Sequence, residues 1–162
     1  MINVVILAAG QGKRMHSRLP KVLQPLAGKP MIEHVLDTVA TLGDVAKTIV
    51  VVGHLAPLVQ ESPKNHPDVQ FVLQEPQLGT GHALQQALPS LDLSAEQTLV
   101  LLGDVPLIQT ETVARLRTVA GDGMALLTTV LRNPTGYGRI LRQKGRIVAI
   151  VEQKDATEGQ KQ

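Results

Sequence analysis

The chain has 162 residues, 43% of them hydrophobic and 19% charged, which is enough for one domain with a sizeable core. It has no cysteine, so disulfides and thiolate metal sites are excluded, and its five histidines (His16, His34, His54, His66, His82) lack a helical ligand spacing. The net charge is only +2, and Phe71 and Tyr137 are the only aromatic residues, which argues against a nucleic-acid surface built on base stacking.

In chain order, short apolar runs alternate with helical patterns. Residues 3–7 read as a buried strand. Pro30 then opens a helix in which Met31, Val35 and Val39 recur on one face until Gly43 stops it. A β-branched strand follows over 48–52, and Pro57 starts a short helix that ends before Pro63. Residues 69–73 form a third strand, and 82–88 a helix ended by Pro89. Residues 98–102 are a fourth, continuously apolar strand. Thr110 is expected to cap a helix reaching about Ala120, and 124–131 reads as a longer strand. Residues 139–142 and 146–151 read as a hairpin about Lys144-Gly145. From about Lys154 the chain turns polar and reads as a frayed end.

Continuously apolar strands separated by helices predict an α/β fold with a mostly parallel sheet covered on both faces, and the late hairpin adds an antiparallel element. Ligands of such sheets bind at the carboxyl ends of the strands, near a reversal of strand order. The glycine-rich loop after the first strand, Gln74 and Asp104 each follow an apparent strand, so all three are expected at one edge. The short N-terminal apolar run leads into glycine and resembles neither a signal peptide nor a membrane span, which makes a soluble cytoplasmic protein the default expectation.

Residues 7–23 concentrate the chemistry. Gly10 and Gly12 let the backbone turn tightly and approach a ligand. Arg14, Arg18 and Lys21 place cations beside backbone N–H groups, a combination suited to a polyphosphate. No acidic residue precedes Glu33, while five of the 16 Lys and Arg do; the remaining 11 face all 14 Asp and Glu. The positive charge is therefore local. The loop is neither of the two standard glycine-rich types. Met15 stands where the third small residue of a dinucleotide fingerprint belongs, and Gly12-Lys13 is followed by Arg14 where a P-loop needs Ser or Thr.

Leu7-Ala8-Ala9-Gly10-x-Gly12-x-Arg14-Met15 followed by Pro20-Lys21 resembles the signature of the sugar-1-phosphate nucleotidyltransferases. The blocks Leu73-Gln74-x-x-Gln77-Leu78-Gly79-Thr80-Gly81-His82-Ala83, Gly103-Asp104-Val105-Pro106-Leu107, Pro134-Thr135-Gly136-Tyr137-Gly138-Arg139-Ile140 and Val151-Glu152-x-Lys154-Asp155-Ala156-Thr157 narrow it. Together they resemble the bacterial bifunctional N-acetylglucosamine-1-phosphate uridyltransferase/glucosamine-1-phosphate acetyltransferase family. The resemblance covers the whole chain, as the N-terminal portion of the family's uridyltransferase domain.

It implies a Rossmann-like three-layer nucleotidyltransferase fold. The implied reaction joins UTP and N-acetylglucosamine 1-phosphate into UDP-N-acetylglucosamine and pyrophosphate, for cell-envelope precursors, with Mg²⁺ as cofactor. Arg14 and Lys21 would hold the triphosphate and act in catalysis. Leu7, Ala8, Ala9, Gly10, Gln74, Gly79 and Thr80 would contact the nucleotide. Leu102, Gly103 and Asp104 would line the same site, with Asp104 as metal ligand; Leu102 replaces a family Tyr, so only its backbone contact carries over. Gly138 and Glu152 would contact the sugar, and His82 reads as a solvated or capping residue. The family's uridyltransferase domain continues beyond residue 162, with two further Asn in the site, and its acetyltransferase β-helix has no counterpart here. A truncated, monomeric piece is therefore expected, with no membrane or nucleic-acid partner. The alternatives are an inactive UTP-binding fragment and a related nucleotidyltransferase with another substrate.

Overall fold

The structure is a computed structural model and describes residues 1–10, 12 and 15–161. It divides into two units, Met1–Ala125 and Leu126–Gln162. In the first, strands β1 (Ile2–Leu7), β4 (Val45–Val52), β5 (Val69–Leu73) and β6 (Gln97–Leu102) form one sheet in the order β5-β4-β1-β6. All three pairings are parallel. The chain lays β4 and β5 on one side of β1 and then returns to add β6 on the other. The reversal of strand order lies between β1 and β6.

Each face of this sheet carries helices, as the unbroken apolar runs require, except that β6 leaves one face open, with Val100 and Leu102 exposed. Helix α1 (Met31–Ala40) buries Ile32, Val35, Leu36 and Val39, a stripe of helical period. That stripe packs on Val4, Ile6, Val50, Val52 and Leu101, together with Val59 of α2 (Ala56–Glu61) and Val113 of α4 (Thr110–Ala120). On the opposite face, Ala83 and Ala87 of α3 (Thr80–Ala87) lie against Val5, Ile49 and Val51. Two small side chains let that helix sit close to the strands. The three-layer α/β expectation is borne out. Among the described residues no helix is long and apolar enough to cross a membrane.

Two polar ties fix the first unit away from its carboxyl edge. Asn3 is 2% exposed inside β1; its Nδ2 donates to Asp92 O at 3.0 Å and its Oδ1 accepts from Asp92 N at 2.9 Å. A buried amide with both ends used costs little. Arg117 of α4 donates from Nη1 and Nη2 to the two Asp44 carboxylate oxygens, at 3.0 and 2.7 Å. That bidentate hydrogen bond, despite a modest opposing desolvation, holds the Asp44 carboxyl below its usual 3.8. A depressed carboxyl stabilises the fold fully above its unfolded pKa and loses that contribution as pH falls through the folded value. Asp44→Asn is therefore expected to lower stability near neutral pH by under about 1 kcal/mol, since the pair is solvent-screened. The loss should vanish in strong acid. Urea unfolding at both pH values checks this; an equal loss in acid would refute the ion-pair origin.

Several elements differ from the sequence expectation. Strand β4 starts at Val45 and α3 at Thr80, both earlier than expected. Thr110 does not cap α4: Gln109 occupies the cap position, and the Thr110 hydroxyl instead meets Thr41 Oγ1 at 2.8 Å. A 3₁₀ turn (Lys21–Leu23) and a tight hairpin, β2 (Pro25–Leu26) with β3 (Lys29–Pro30), precede α1. Ala27 and Gly28 both have positive φ, 49° and 84°, which suits a two-residue hairpin turn.

In the second unit, β7 (Arg139–Gln143) and β8 (Arg146–Val151) form the expected antiparallel hairpin. The strand expected over 124–131 is not formed, and Met124, Leu127 and Val130 are exposed. Its aliphatic composition satisfies strand propensity, but propensity measures fit to a neighbouring strand, and among the described residues none pairs with it. The polar tail is not simply frayed: α5 (Glu158–Lys161) ends it. Arg139 donates to the carbonyls of Pro134, Tyr137 and Lys161 and to Gln153 Oε1, pinning the loop before β7 to that tail.

Candidate functional site

Parallel pairing brings the strand ends to one edge. Leu7 pairs with Val51 and with Leu102, and Val52 pairs with Leu73. The chain one step beyond each strand is still tied to its neighbour. Ala8 N donates to Val51 O at 2.8 Å, Gly103 N to Leu7 O at 3.0 Å, and Gln74 N to Val52 O at 2.7 Å. Leu7, Ala8, Ala9, Gln74, Gly103 and Asp104 thus meet at the carboxyl edge, as their positions after strands predict.

At the β1/β6 reversal, Lys21 Nζ donates to Asp104 Oδ2 at 2.5 Å, with the two side chains 39% and 31% exposed. Two residues 83 apart in sequence are joined within reach of solvent. Lys21 is held by its neighbours: Val22 is buried, and Gly12, at φ 60°, crosses so close that a Cβ there would lie 2.9 Å from Lys21 Cβ. Gly103 is constrained less severely, because a Cβ would stand 3.1 Å from Val22 and 3.3 Å from Leu7 O. Leu102 is half-exposed, and Gly10 is exposed at the end of the β1 loop. Arg14 lies outside the described residues.

A second cluster forms between β5 and α3. Gln74 is 4% exposed. Its Nε2 donates to Gly79 O at 2.9 Å and contacts His82 Nδ1 at 3.1 Å. Gly79 is the N-cap of α3 at φ 103°, ψ 179°, a conformation open to glycine and strained for other residues. Thr80 follows it, exposed, in the first turn. His82 is therefore not a solvated or capping residue: its ring links Gln74 to Gln86, whose Nε2 lies 3.1 Å from His82 Nε2.

Gln77, which stands in a motif block without an assigned role, ties two loops of the edge together. Its Nε2 donates to Ala9 O at 2.8 Å, joining the β1 and β5 loops. This crossing requires Gly53, where a Cβ would fall 2.3 Å from Gln77 Nε2 and 2.9 Å from Ala9 O. A glycine directly after the β-branched run of β4 was the available signal of close backbone approach.

In the second unit, a Cβ on Gly138 would lie 3.9 Å from Glu152 Cδ. The β7/β8 hairpin therefore brings that predicted pair together.

The first unit's edge offers a cation beside a carboxylate, an anchored amide, and the exposed glycines Gly10 and Gly79, while Ala8 and Ala9 are buried. Such an edge suits a phosphorylated ligand with a hydrogen-bonding ring. No cluster of three or more His, Asp or Glu is present among the described residues. Asp104 alone still fits Mg²⁺, which commonly takes one or two carboxylates and completes its shell with phosphate oxygens and water.

Residues 4–159 match the family described as the MobA-like NTP transferase domain. The chain is 60% identical over 158 residues to the bifunctional protein GlmU of Paraburkholderia phymatum, covering 96% of this chain and 34% of that protein. It thus spans about a third of that relative's length. A nucleotidyl transferase from Methanothermobacter thermautotroptrophicus superposes with TM-score 0.63 at 29% identity, over 73% of this chain and 57% of that one. HddC from Yersinia pseudotuberculosis shares the fold at TM-score 0.65 and 21% identity, over 94% and 70% of the two chains.

Proposed function

The chain belongs to the MobA-like NTP transferase family, and from that premise we propose that its carboxyl edge is the nucleotide half of a uridylyltransferase site. The substrates are UTP and N-acetylglucosamine 1-phosphate, and the products UDP-N-acetylglucosamine and pyrophosphate. The observation that carries this reading is the joining of Lys21 to Asp104 across the strand-order reversal, at the same carboxyl edge that ends β5 in the anchored Gln74 amide. It agrees with the motif blocks shared with the uridyltransferase family and with the 60% identity to GlmU.

In the reaction, a phosphate oxygen of the sugar phosphate attacks the α-phosphorus of UTP. The bond from that phosphorus to the β-bridging oxygen breaks, and pyrophosphate leaves with the electron pair. Such a transfer asks the protein for positioning and charge neutralisation more than for covalent chemistry. Lys21 offsets charge on the triphosphate, and Arg14 is assigned the same task on the motif. Asp104 would hold Mg²⁺, which supplies further neutralisation of phosphate charge. Exposed Gly79 leaves its backbone open to the base, buried Ala8 and Ala9 are assigned base contacts on the motif alone, and Gln74 supplies a side-chain amide to its edge. Gly138 and Glu152, in the second unit, are proposed as hydrogen-bonding residues for sugar hydroxyls.

Calorimetric titration with UTP in the presence of Mg²⁺, with GTP and ATP as controls, tests the nucleotide half. Selective UTP binding is the expected result. A folded chain that binds none of the three, or all alike, would overturn the assignment.

A further inference from the structure

Gln74, His82 and Gln86 form a chain of hydrogen bonds whose polarity is decided at one end. Gly79 O is a carbonyl and can only accept, so the Gln74 atom 2.9 Å away must be the amide nitrogen. The same Nε2 lies 3.1 Å from His82 Nδ1. Its second hydrogen then meets a ring nitrogen that must be bare, and the proton of a neutral His82 sits on Nε2. That N–H needs an acceptor. Gln86 lies 3.1 Å away and supplies one when its near-symmetric amide presents Oε1. With both amide hydrogens used inside the protein, Gln74 has only its Oε1 to offer a ligand.

We infer that His82 is a positioning residue for nucleobase choice: it locks Gln74 as an acceptor, which selects a pyrimidine with a ring N–H over one with a bare ring nitrogen. The inference rests on the proposed nucleotide site. Uracil carries N3–H between two carbonyl oxygens, so an acceptor opposite N3 makes a hydrogen bond. Cytosine presents a lone pair at N3, and two acceptors face each other. A Gln74 held by Gly79 alone is freer to turn its NH₂ outward and tolerate cytosine. The helix sets the device: His82 and Gln86 are four residues apart on α3 and share one face.

Two measurements test this on the 162-residue chain. Imidazole ¹⁵N–¹H correlation NMR of the ligand-free protein should show His82 as the Nε2–H tautomer; an Nδ1–H tautomer overturns the lock whether or not any nucleotide binds. UTP and CTP affinities are then compared in His82→Leu and Gln86→Glu. His82→Leu should narrow the preference for UTP by about fivefold to tenfold, the worth of one orienting hydrogen bond. Gln86→Glu, an acceptor for Nε2–H, should keep the parent preference. An unchanged ratio in a folded His82→Leu, or a lost preference in Gln86→Glu, overturns the inference. A parent chain with the Nε2–H tautomer but no UTP binding would reject the nucleotide assignment, and the base selection with it, while leaving the hydrogen-bond polarity standing.

Discussion

The effect of Asp104→Ala on UTP binding is expected to change sign between chelator and Mg²⁺. Without the metal, the Asp104 carboxylate does two unfavourable things: it occupies Lys21 at 2.5 Å, and it sets a negative charge against the triphosphate. Removing it frees the ammonium and lifts that repulsion. Exposed pairs of this kind are worth about 0.2–1 kcal/mol, so the variant should bind UTP up to about fivefold tighter than the parent in chelator. With Mg²⁺ present the order inverts. The parent gains a carboxylate ligand for the cation shared with the phosphates, and the variant does not. Its affinity should fall about tenfold or more below the parent's, taking a charge-assisted contact as the scale. Titrations in chelator and in Mg²⁺ check this. A variant weaker than the parent by the same factor in both buffers would remove Asp104 from the metal role.

Lys21→Ala should have the largest effect on UTP binding in either buffer. The loss comprises a charged hydrogen bond to phosphate, about 1.5–3 kcal/mol or roughly 10- to 150-fold. An unpaired Asp104 then faces the anion as well. The double variant Lys21→Ala/Asp104→Ala should therefore bind UTP better than Lys21→Ala alone in chelator, because the uncompensated carboxylate no longer faces the anion. The circular dichroism spectrum should be unchanged, because neighbouring Val22, and not the half-exposed Lys21 stem, is buried in the core. Parent-like affinity in Lys21→Ala would place the lysine in solvent. A double variant no better than the single would show that the Asp104 carboxylate does not oppose the bound anion.

Much of the fold was legible because its signals are local. The unbroken apolar runs of β1 and β4 announce strands buried on both faces, whereas the equally apolar β6 is buried on one face only; the 3.6-residue recurrence in α1 announces its buried stripe. Lys144-Gly145 announces the hairpin. The edge at which the site would form was legible too, since parallel strands joined by helices share a carboxyl end. The expected strand over 124–131 failed where the signal was composition without a partner. His82 was misread because a lone histidine after Gly81 carries no mark of its neighbours; Gln77 stood in a motif block without a role, and the glycine after the β4 run signals a close approach without naming the partner.

The sequence by itself determined the alternation of elements, the identity of the loop cations and the residues that follow each strand, because propensity, periodicity and glycine placement act within a few residues. Only the tertiary structure decided that Lys21 meets Asp104, that Gln77 reaches Ala9 across Gly53, and that His82 holds the Gln74 amide. These contacts join segments that the sheet order and the seating of α3 bring together. They depend on packing between elements, so the spacing of residues along the chain does not encode them in readable form.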